Sequence, residues 1–197
     1  QENQQIQKLG KYAKVEVGIT TGSNPFFTVP LSTVQFYDLE KYAKPLVGRS
    51  VQVPSAIFTQ KDWQKNRAME ARTHLLTFPK KNDLNGSLGA RDYIAWGEEQ
   101  KINEGYKCRI RDEWQIVPSL RISDALFIRR NNLYPKLIIN EAEAYTTDTM
   151  HRVMVKPNAE IKALTASYYN SLSLAFSEIC GRSHGGGVLE LMPNEVE

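Results

Sequence analysis

The sequence predicts an α+β fold in which a β-rich portion of short strands precedes a late helix. Three observations carry this. Short β-branched and alternating stretches fill the early and middle parts of the chain, the clearest helical period comes near the end, and strands and helices do not alternate as they do in βαβ units. No internal repeat and no compositional shift marks a linker. One domain over residues 14–197 is therefore expected, after a glutamine-rich flexible tail over 1–13. A chain of 197 residues can bury roughly 70% of its unfolded surface, so it needs no metal or disulfide to fold.

The elements follow in order. Residues 14–20 (KVEVGIT) alternate and are β-branched, which predicts a strand. Thr21-Gly22-Ser23-Asn24-Pro25 is a dense turn signal, and the apolar Phe26-Phe27-Thr28-Val29 after it is read as a core strand. Residues 38–43 suit one or two helical turns that end before Pro45. Residues 51–58 and 73–78 read as strands, and 80–89, with Asn85-Gly86, as a surface loop. A helix is expected over 90–104, stopped by Gly105. Short strands follow at 106–111, 114–117, 125–129, 136–139 and 151–155. After Pro157-Asn158, Ile161, Leu164, Tyr168, Leu172, Ala175 and Ile179 fall on one helical face that Gly181 closes. Gly185-Gly186-Gly187 leads into residues 188–192, and Pro193-Asn194-Glu195 opens a further helix.

Composition narrows the function classes. With 25 Lys+Arg against 22 Asp+Glu the net charge is +3, which permits a nucleic-acid partner without implying one. No apolar run approaches the ~20 residues of a membrane span, and the start of the chain does not read as a signal peptide. Cys108 and Cys180 are not in a CxxC pattern and are read as buried, reduced thiols, consistent with a cytoplasmic protein. The absence of an initiator Met leads to the expectation that the chain is cut from something longer.

Several chemistries lack their residues. There is no GxGxxG after a strand, no P-loop and no GxSxG elbow, and His74, His151 and His184 have no metal-ligand spacing. Glu141 and Glu143 share a face of a possible strand but read as solvated or cross-strand-paired carboxylates. Asn24-Pro25-Phe26-Phe27 is close to the Asn-Pro-Pro-aromatic loop that holds a flipped adenine, with Phe26 in place of the second proline. The favoured reading there is still a turn before a core strand. No catalytic and no metal-binding residue is assigned.

The positive signal is distributed. Lys107, Arg109 and Arg111 alternate along the expected strand and would share one face, with Trp114 just beyond. Arg129-Arg130-Asn131-Asn132, His151-Arg152 and Arg182-Ser183-His184 add further basic and amide-rich clusters. Arginine suits guanine edges and phosphates, and asparagine suits adenine. A solvated basic face is the plainer account of the same residues.

These segments resemble a known family. Val17-Gly18-Ile19-Thr20-Thr21-Gly22-Ser23-Asn24 with Phe27 is similar to the opening of the specificity domain in bacterial N6-adenine DNA methyltransferases of restriction–modification systems. Tyr106, Cys108, Arg109, Arg111, Trp114 and Val117-Pro118 resemble a second family segment. Asn140 with Thr147-Asp148-Thr149 and His151-Arg152 resembles a third, and Asn170-Ser171 with Gly181-Arg182 and Gly185-Gly186-Gly187-Val188-Leu189 a fourth. The likeness runs in order from about Val15 to Pro193. It implies a TaqI-like C-terminal target-recognition domain, with a double-β-helix-like β portion and a C-terminal helical hairpin. In such parents a separate N-terminal domain binds S-adenosylmethionine and methylates a flipped adenine in double-stranded DNA. That catalytic domain is missing here, so no cofactor and no methyl transfer are expected of this chain alone.

On this resemblance, Thr21, Gly22, Ser23, Asn24, Arg152 and Arg182 are the expected phosphate contacts, because a glycine-bearing turn lets backbone N–H groups approach an anion. Arg109, Arg111, Arg129, Arg130 and Asn131 are the expected base-reading residues. The expected partners are duplex DNA and the parent's catalytic domain, with no membrane. Trp114, Asn140, Asn170, His151 and the triple glycine are read as structural. Two other classes stay open: a nucleic-acid-binding module with no link to methylation, and a protein-docking module.

Overall fold

The computed structural model describes residues 6–84, 86–184 and 186–197. Its strands are β1 (Ala13–Val17), β2 (Thr28–Val29), β3 (Ala43–Val47), β4 (Ile57–Phe58), β5 (His74–Leu76) and β6 (Ala125–Ile128). They continue with β7 (Arg130–Asn131), β8 (Leu137–Asn140), β9 (Tyr145–Thr146), β10 (Met150–Val155), β11 (Arg182–Ser183) and β12 (Leu189–Glu190). The helices are α1 (Asn24–Phe27), α2 (Leu31–Phe36), α3 (Gln60–Ala68), α4 (Leu88–Glu99), α5 (Tyr106–Arg109), α6 (Ile161–Tyr168), α7 (Ser171–Cys180) and α8 (Pro193–Val196). The fold thus mixes sheets and helices; α1 to α5 already precede β6, so helices are not confined to the late part of the chain as expected, although α8 lies C-terminal.

The strands form three sheets in the orders β1-β10-β6-β8-β4, β11-β12-β7 and β2-β5-β3-β9. Strands β4/β8 and β3/β9 pair parallel, and the remaining ladders are antiparallel. The five-stranded sheet is covered on both faces, as strand periodicity requires of its sequence. Leu126, Ile128, Ile138 and Met150 pack with Phe58 and Trp63 on one side, while Ala125, Phe127, Leu137 and Val153 pack on the other with Ile161, Leu164 and Tyr168. Strands β6 and β8 are buried at every residue, so residues 125–128 and 137–139 are continuously apolar rather than alternating. A third core gathers Phe26, Phe27, Tyr93 and Trp114 beneath the four-stranded sheet.

Several expected elements take another form. Residues 106–111 are the short helix α5 and its exit, not a strand. Their alternation failed as a guide because Cys108 is buried while Ile110 is 61% exposed, so its apolar members never shared a covered face. Residues 114–117 hold no strand; side-chain bonds anchor them instead. In 51–58 a 3-10 turn (Ser50–Gln52) and Pro54 leave only Ile57–Phe58 in a ladder. Phe26 and Phe27 lie in α1, not in a strand. Residues 38–43 contain a 3-10 turn (Glu40–Tyr42), and Pro45 stands inside β3. The late helix breaks at Tyr169 and Asn170, where Asn170 turns extended and its Oδ1 accepts from the Ser173 N–H at 3.0 Å. Glu141 and Glu143 flank a turn after β8.

Toward the start of the chain, residues 1–5 lie outside the described residues, while Leu9–Lys11 forms a 3-10 turn. The Gly10 N–H donates to the Glu197 carbonyl at 2.9 Å, and Lys156 donates to the Gly10 carbonyl. Cys108 is buried, as expected, but Cys180 is exposed on α7. Asn85 and Gly185 lie outside the described residues. No helix among the described residues is long and apolar enough to cross a membrane.

Candidate nucleic-acid interface

The turn at residues 20–24 is built by its own side chains and braced from α5. Thr21 Oγ1 donates to Asn24 Oδ1 at 2.7 Å, and Asn24 Nδ2 lies 3.5 Å from Asp148 Oδ1. Gly22 has φ +92°, a conformation that disfavours a side chain, and a Cβ there would sit 2.7 Å from Cys108 Sγ. Ser23 stands at the start of α1, and its carbonyl accepts from the N–H groups of Phe26 and Phe27.

Arg111 locks this turn. Its Nη2 donates to the carbonyls of Thr20 (3.0 Å) and Thr21 (2.8 Å), and its Nη1 donates to the Trp114 carbonyl (3.2 Å). Burial lowers its pKa from the ordinary arginine value, and burial likewise raises that of the Cys108 thiol below the turn. Arg109, two residues earlier, is exposed and has no side-chain partner among the described residues. The expected common face of Lys107, Arg109 and Arg111 therefore does not form, because residues two apart on a helical turn diverge.

The second cluster lies at the end of the β6–β8 hairpin. Register Phe127↔Leu137 and the Ile128 N–H to Lys136 carbonyl bond (3.1 Å) close it, which leaves residues 129–135 as its tip. Glu190 ties the base of that tip: Oε1 accepts from Arg129 Nε (2.8 Å) and Arg130 Nε (3.2 Å), and Oε2 lies 2.5 Å from His184 Nε2. Burial works to raise the Glu190 pKa, but the His184 bond and the charges of Arg129 and Arg130 outweigh it, so the carboxyl lies below its ordinary range. Arg129 Nη1 also reaches the Asp148 carbonyl at 3.5 Å, which joins this cluster to the turn through Asp148. Asn131 is buried and donates to the Ile128 carbonyl at 2.8 Å. Arg182 stands in register with Glu190, which stands in register with Arg130, so the three occupy one row across β11-β12-β7. Its guanidinium is paired to Glu195 and its side chain is 59% exposed.

Arg152 lies apart, on β10. Its side chain is 9% exposed, with Nη1 on the Ser119 carbonyl at 2.8 Å and Nη2 3.5 Å from Glu16. The structure thus brings Thr21, Gly22, Ser23, Asn24, Arg111, Arg129 and Arg130 into one linked strip, with Arg182 along the same three-stranded row. It does not bring Arg152 there. Two residues that hold the strip, Asp148 and Glu190, were not singled out as site residues. Glu190 had a legible signal, since it is the lone charge within the apolar run Val188-Leu189-Glu190-Leu191-Met192.

Of the residues read as structural, Trp114, Asn140 and His151 bond to protein groups. Trp114 packs on Phe26 with centroids 5.1 Å apart and donates to Glu98 at 2.9 Å. Asn140 bonds the backbone of Ser123 and Ala144, and His151 Nε2 lies 2.7 Å from the Leu191 carbonyl in the interior. Phe26 and Phe27 are 1% and 0% exposed, so neither offers a ring face to a flipped base. No group of three His, Cys, Asp or Glu among the described residues could hold a metal ion.

A model of the family described as "Type II methyltransferase M.Eco57I, C-terminal domain" matches residues 1–197. The chain is 25% identical over 190 residues to the type II methyltransferase M.AccI of Acinetobacter calcoaceticus, which covers 94% of this chain and 34% of that protein. Its fold is similar to a crystal structure of the type IIG restriction endonuclease BpuSI, with a TM-score of 0.55 at 11% identity, over 93% of this chain and 22% of that one. The chain therefore spans 34% of the curated relative's length and 22% of the structural relative's.

Proposed function

We propose, from the premise that this chain belongs to the family of type II methyltransferase M.Eco57I C-terminal domains, that it is the DNA-recognition part of an adenine-specific methyltransferase in a restriction–modification system. The observation that carries the reading is the family match over residues 1–197. The strip of cationic and amide groups on the structure supports it. In this division of labour, S-adenosylmethionine and the chemistry on the flipped adenine belong to a catalytic part of the parent enzyme. This chain supplies the choice of site on duplex DNA, in the bacterial cytoplasm.

Roles follow from exposure. Arg109, Arg130 and Arg182 have the exposed guanidinium groups that phosphates or base edges need, and Arg129 stands at the base of the tip. In the turn, Gly22, Ser23 and Asn24 meet the phosphate backbone, while Thr21, 2% exposed, holds Asn24 in place. Arg111, Arg152 and Asn131 act as positioning residues, since each donates a side-chain N–H to a backbone carbonyl. The finer architecture, a double-β-helix-like portion with a C-terminal helical hairpin, belongs to the same proposal. Three sheets of short strands, and α6 followed directly by α7, support it.

The test is a binding selection with the whole polypeptide that carries this chain, on a duplex pool with a randomised centre. Enrichment of one short sequence, with an affinity that falls steeply as salt rises, is the expected result. Equal retention of every duplex, or preference for structured RNA, overturns the reading.

A further inference from the structure

The hairpin tip has a division that the sequence does not reveal. Its base is tied down: β7 pairs with β12, Asn131 is buried, and Pro135 is buried as the chain returns to β8. Between them Asn132, Leu133 and Tyr134 are exposed. Leu133 is 88% exposed, more than any other large apolar side chain described. Tyr134 lines a cavity of about 130 Å³ with Pro54 and Tyr169, and also one of about 300 Å³ with Ser183 and Leu189. Asn132 and Leu133 also line the larger of these cavities, and Leu133 belongs to none of the buried apolar clusters among the described residues.

The surroundings favour a polyanion. The Arg130 side chain is 65% exposed, and Lys136 Nζ lies 5.4 Å from the Tyr134 ring centroid. An apolar tip between two cations matches a stack of bases between two phosphate backbones. Leucine is among the side chains that proteins push between base pairs, at the cost of unstacking a step and with a bend in the duplex. Asn132 beside it carries the amide that suits an adenine edge, which buried Asn131 cannot present.

We propose that Leu133, at the tip of the β6–β8 hairpin, is a wedge that enters a base step of duplex DNA, with Asn132 reading the adjoining base edge and Arg130 and Lys136 on the flanking phosphates. This rests on the DNA-recognition reading above. The experiment compares the whole polypeptide with its Leu133→Ala and Leu133→Phe variants on an end-labelled duplex pool with a randomised centre. Affinity, energy transfer between the duplex ends and salt dependence are measured together. The exposure of Leu133 means that both variants keep the thermal midpoint of the parent, which circular dichroism verifies. Leu133→Ala is expected to weaken binding about tenfold, to remove the bend and to leave the salt slope unchanged, while Leu133→Phe retains the bend. Unchanged affinity and bend in Leu133→Ala overturn the wedge alone. Unchanged DNA binding with reduced self-association in sedimentation assigns the tip to a second copy and also overturns it. If the unsubstituted polypeptide binds no duplex, the DNA reading falls and the wedge with it.

Discussion

The turn at residues 20–24 and the hairpin tip at 129–135 both carry residues that the sequence marks as DNA contacts, yet they are held in opposite ways. The turn is clamped from beneath: Arg111 donates three bonds to backbone carbonyls, and Phe26 and Phe27 fasten the following helix into a core. The tip is held at its base by Glu190, by the β7–β12 ladder and by buried Asn131, while Asn132, Leu133 and Tyr134 beyond them are exposed. The contrast separates two uses of arginine. In the first region the guanidinium shapes the backbone; in the second it is oriented by a carboxylate and remains partly open to solvent.

The largest effect is expected on the clamped side. Phe26→Ala removes a ring packed against Phe27, Tyr93, Trp96 and Trp114, and should cost about 3–5 kcal/mol in urea unfolding. A smaller loss would mean that the turn is less rigidly founded than its contacts indicate. Arg111→Ala leaves the carbonyls of Thr20, Thr21 and Trp114 without this donor and should cost about 1–3 kcal/mol. Arg109→Ala, by contrast, should change stability by less than ~0.5 kcal/mol. It should instead flatten the plot of log affinity against log salt by about one unit, as the loss of one phosphate contact does. Equal behaviour of the two variants would erase the distinction between scaffold and contact arginines.

On the tip side, Glu190→Gln removes the charge that Arg129, Arg130 and His184 share. A stability loss of about 1 kcal/mol is expected, with faster amide exchange at residues 131–134 than at 20–24. The smallest effect is a pH trend. Burial lowers the pKa of both His74 and His151 from the ordinary value of 6.5, so the unfolded chain takes up protons that the folded one refuses. Their contribution is complete above pH 6.5 and declines as pH falls from there toward their folded-state values. Glu190, lowered in the folded state, adds a further decline only below its ordinary value of 4.5. A thermal midpoint that holds level from pH 7 to 5 would show that neither histidine resists protonation.

The parts of this molecule that were legible in the sequence are those where one physical rule acts alone. Strands β6, β8 and β10 announce themselves because nearly every residue in them is buried, and α4 because Ala90, Tyr93, Ile94 and Gly97 fall at helical spacing. Helix α3 escaped because Trp63 is its one buried residue, although Thr59 and Asp62 form a capping box that could have been read. Residues 106–111 misled because their basic alternation imitates a strand, while Gly105 opens a single helical turn instead. Of the site, the residue types were legible and their employment was not. Nothing in the spacing of Arg109 and Arg111 tells which one meets the backbone of Thr20 and Thr21, ninety positions away.

The interlock between Gly22 and Cys108 bears on any attempt to transplant specificity. A loop graft that exchanges residues 20–24 for those of a relative must carry the 105–111 segment with it, since the donor turn and its brace are fitted to within 2.7 Å of a missing methyl. Exchange of the exposed residues 132–134 meets no such obligation, so recognition in this scaffold should be reprogrammable there first.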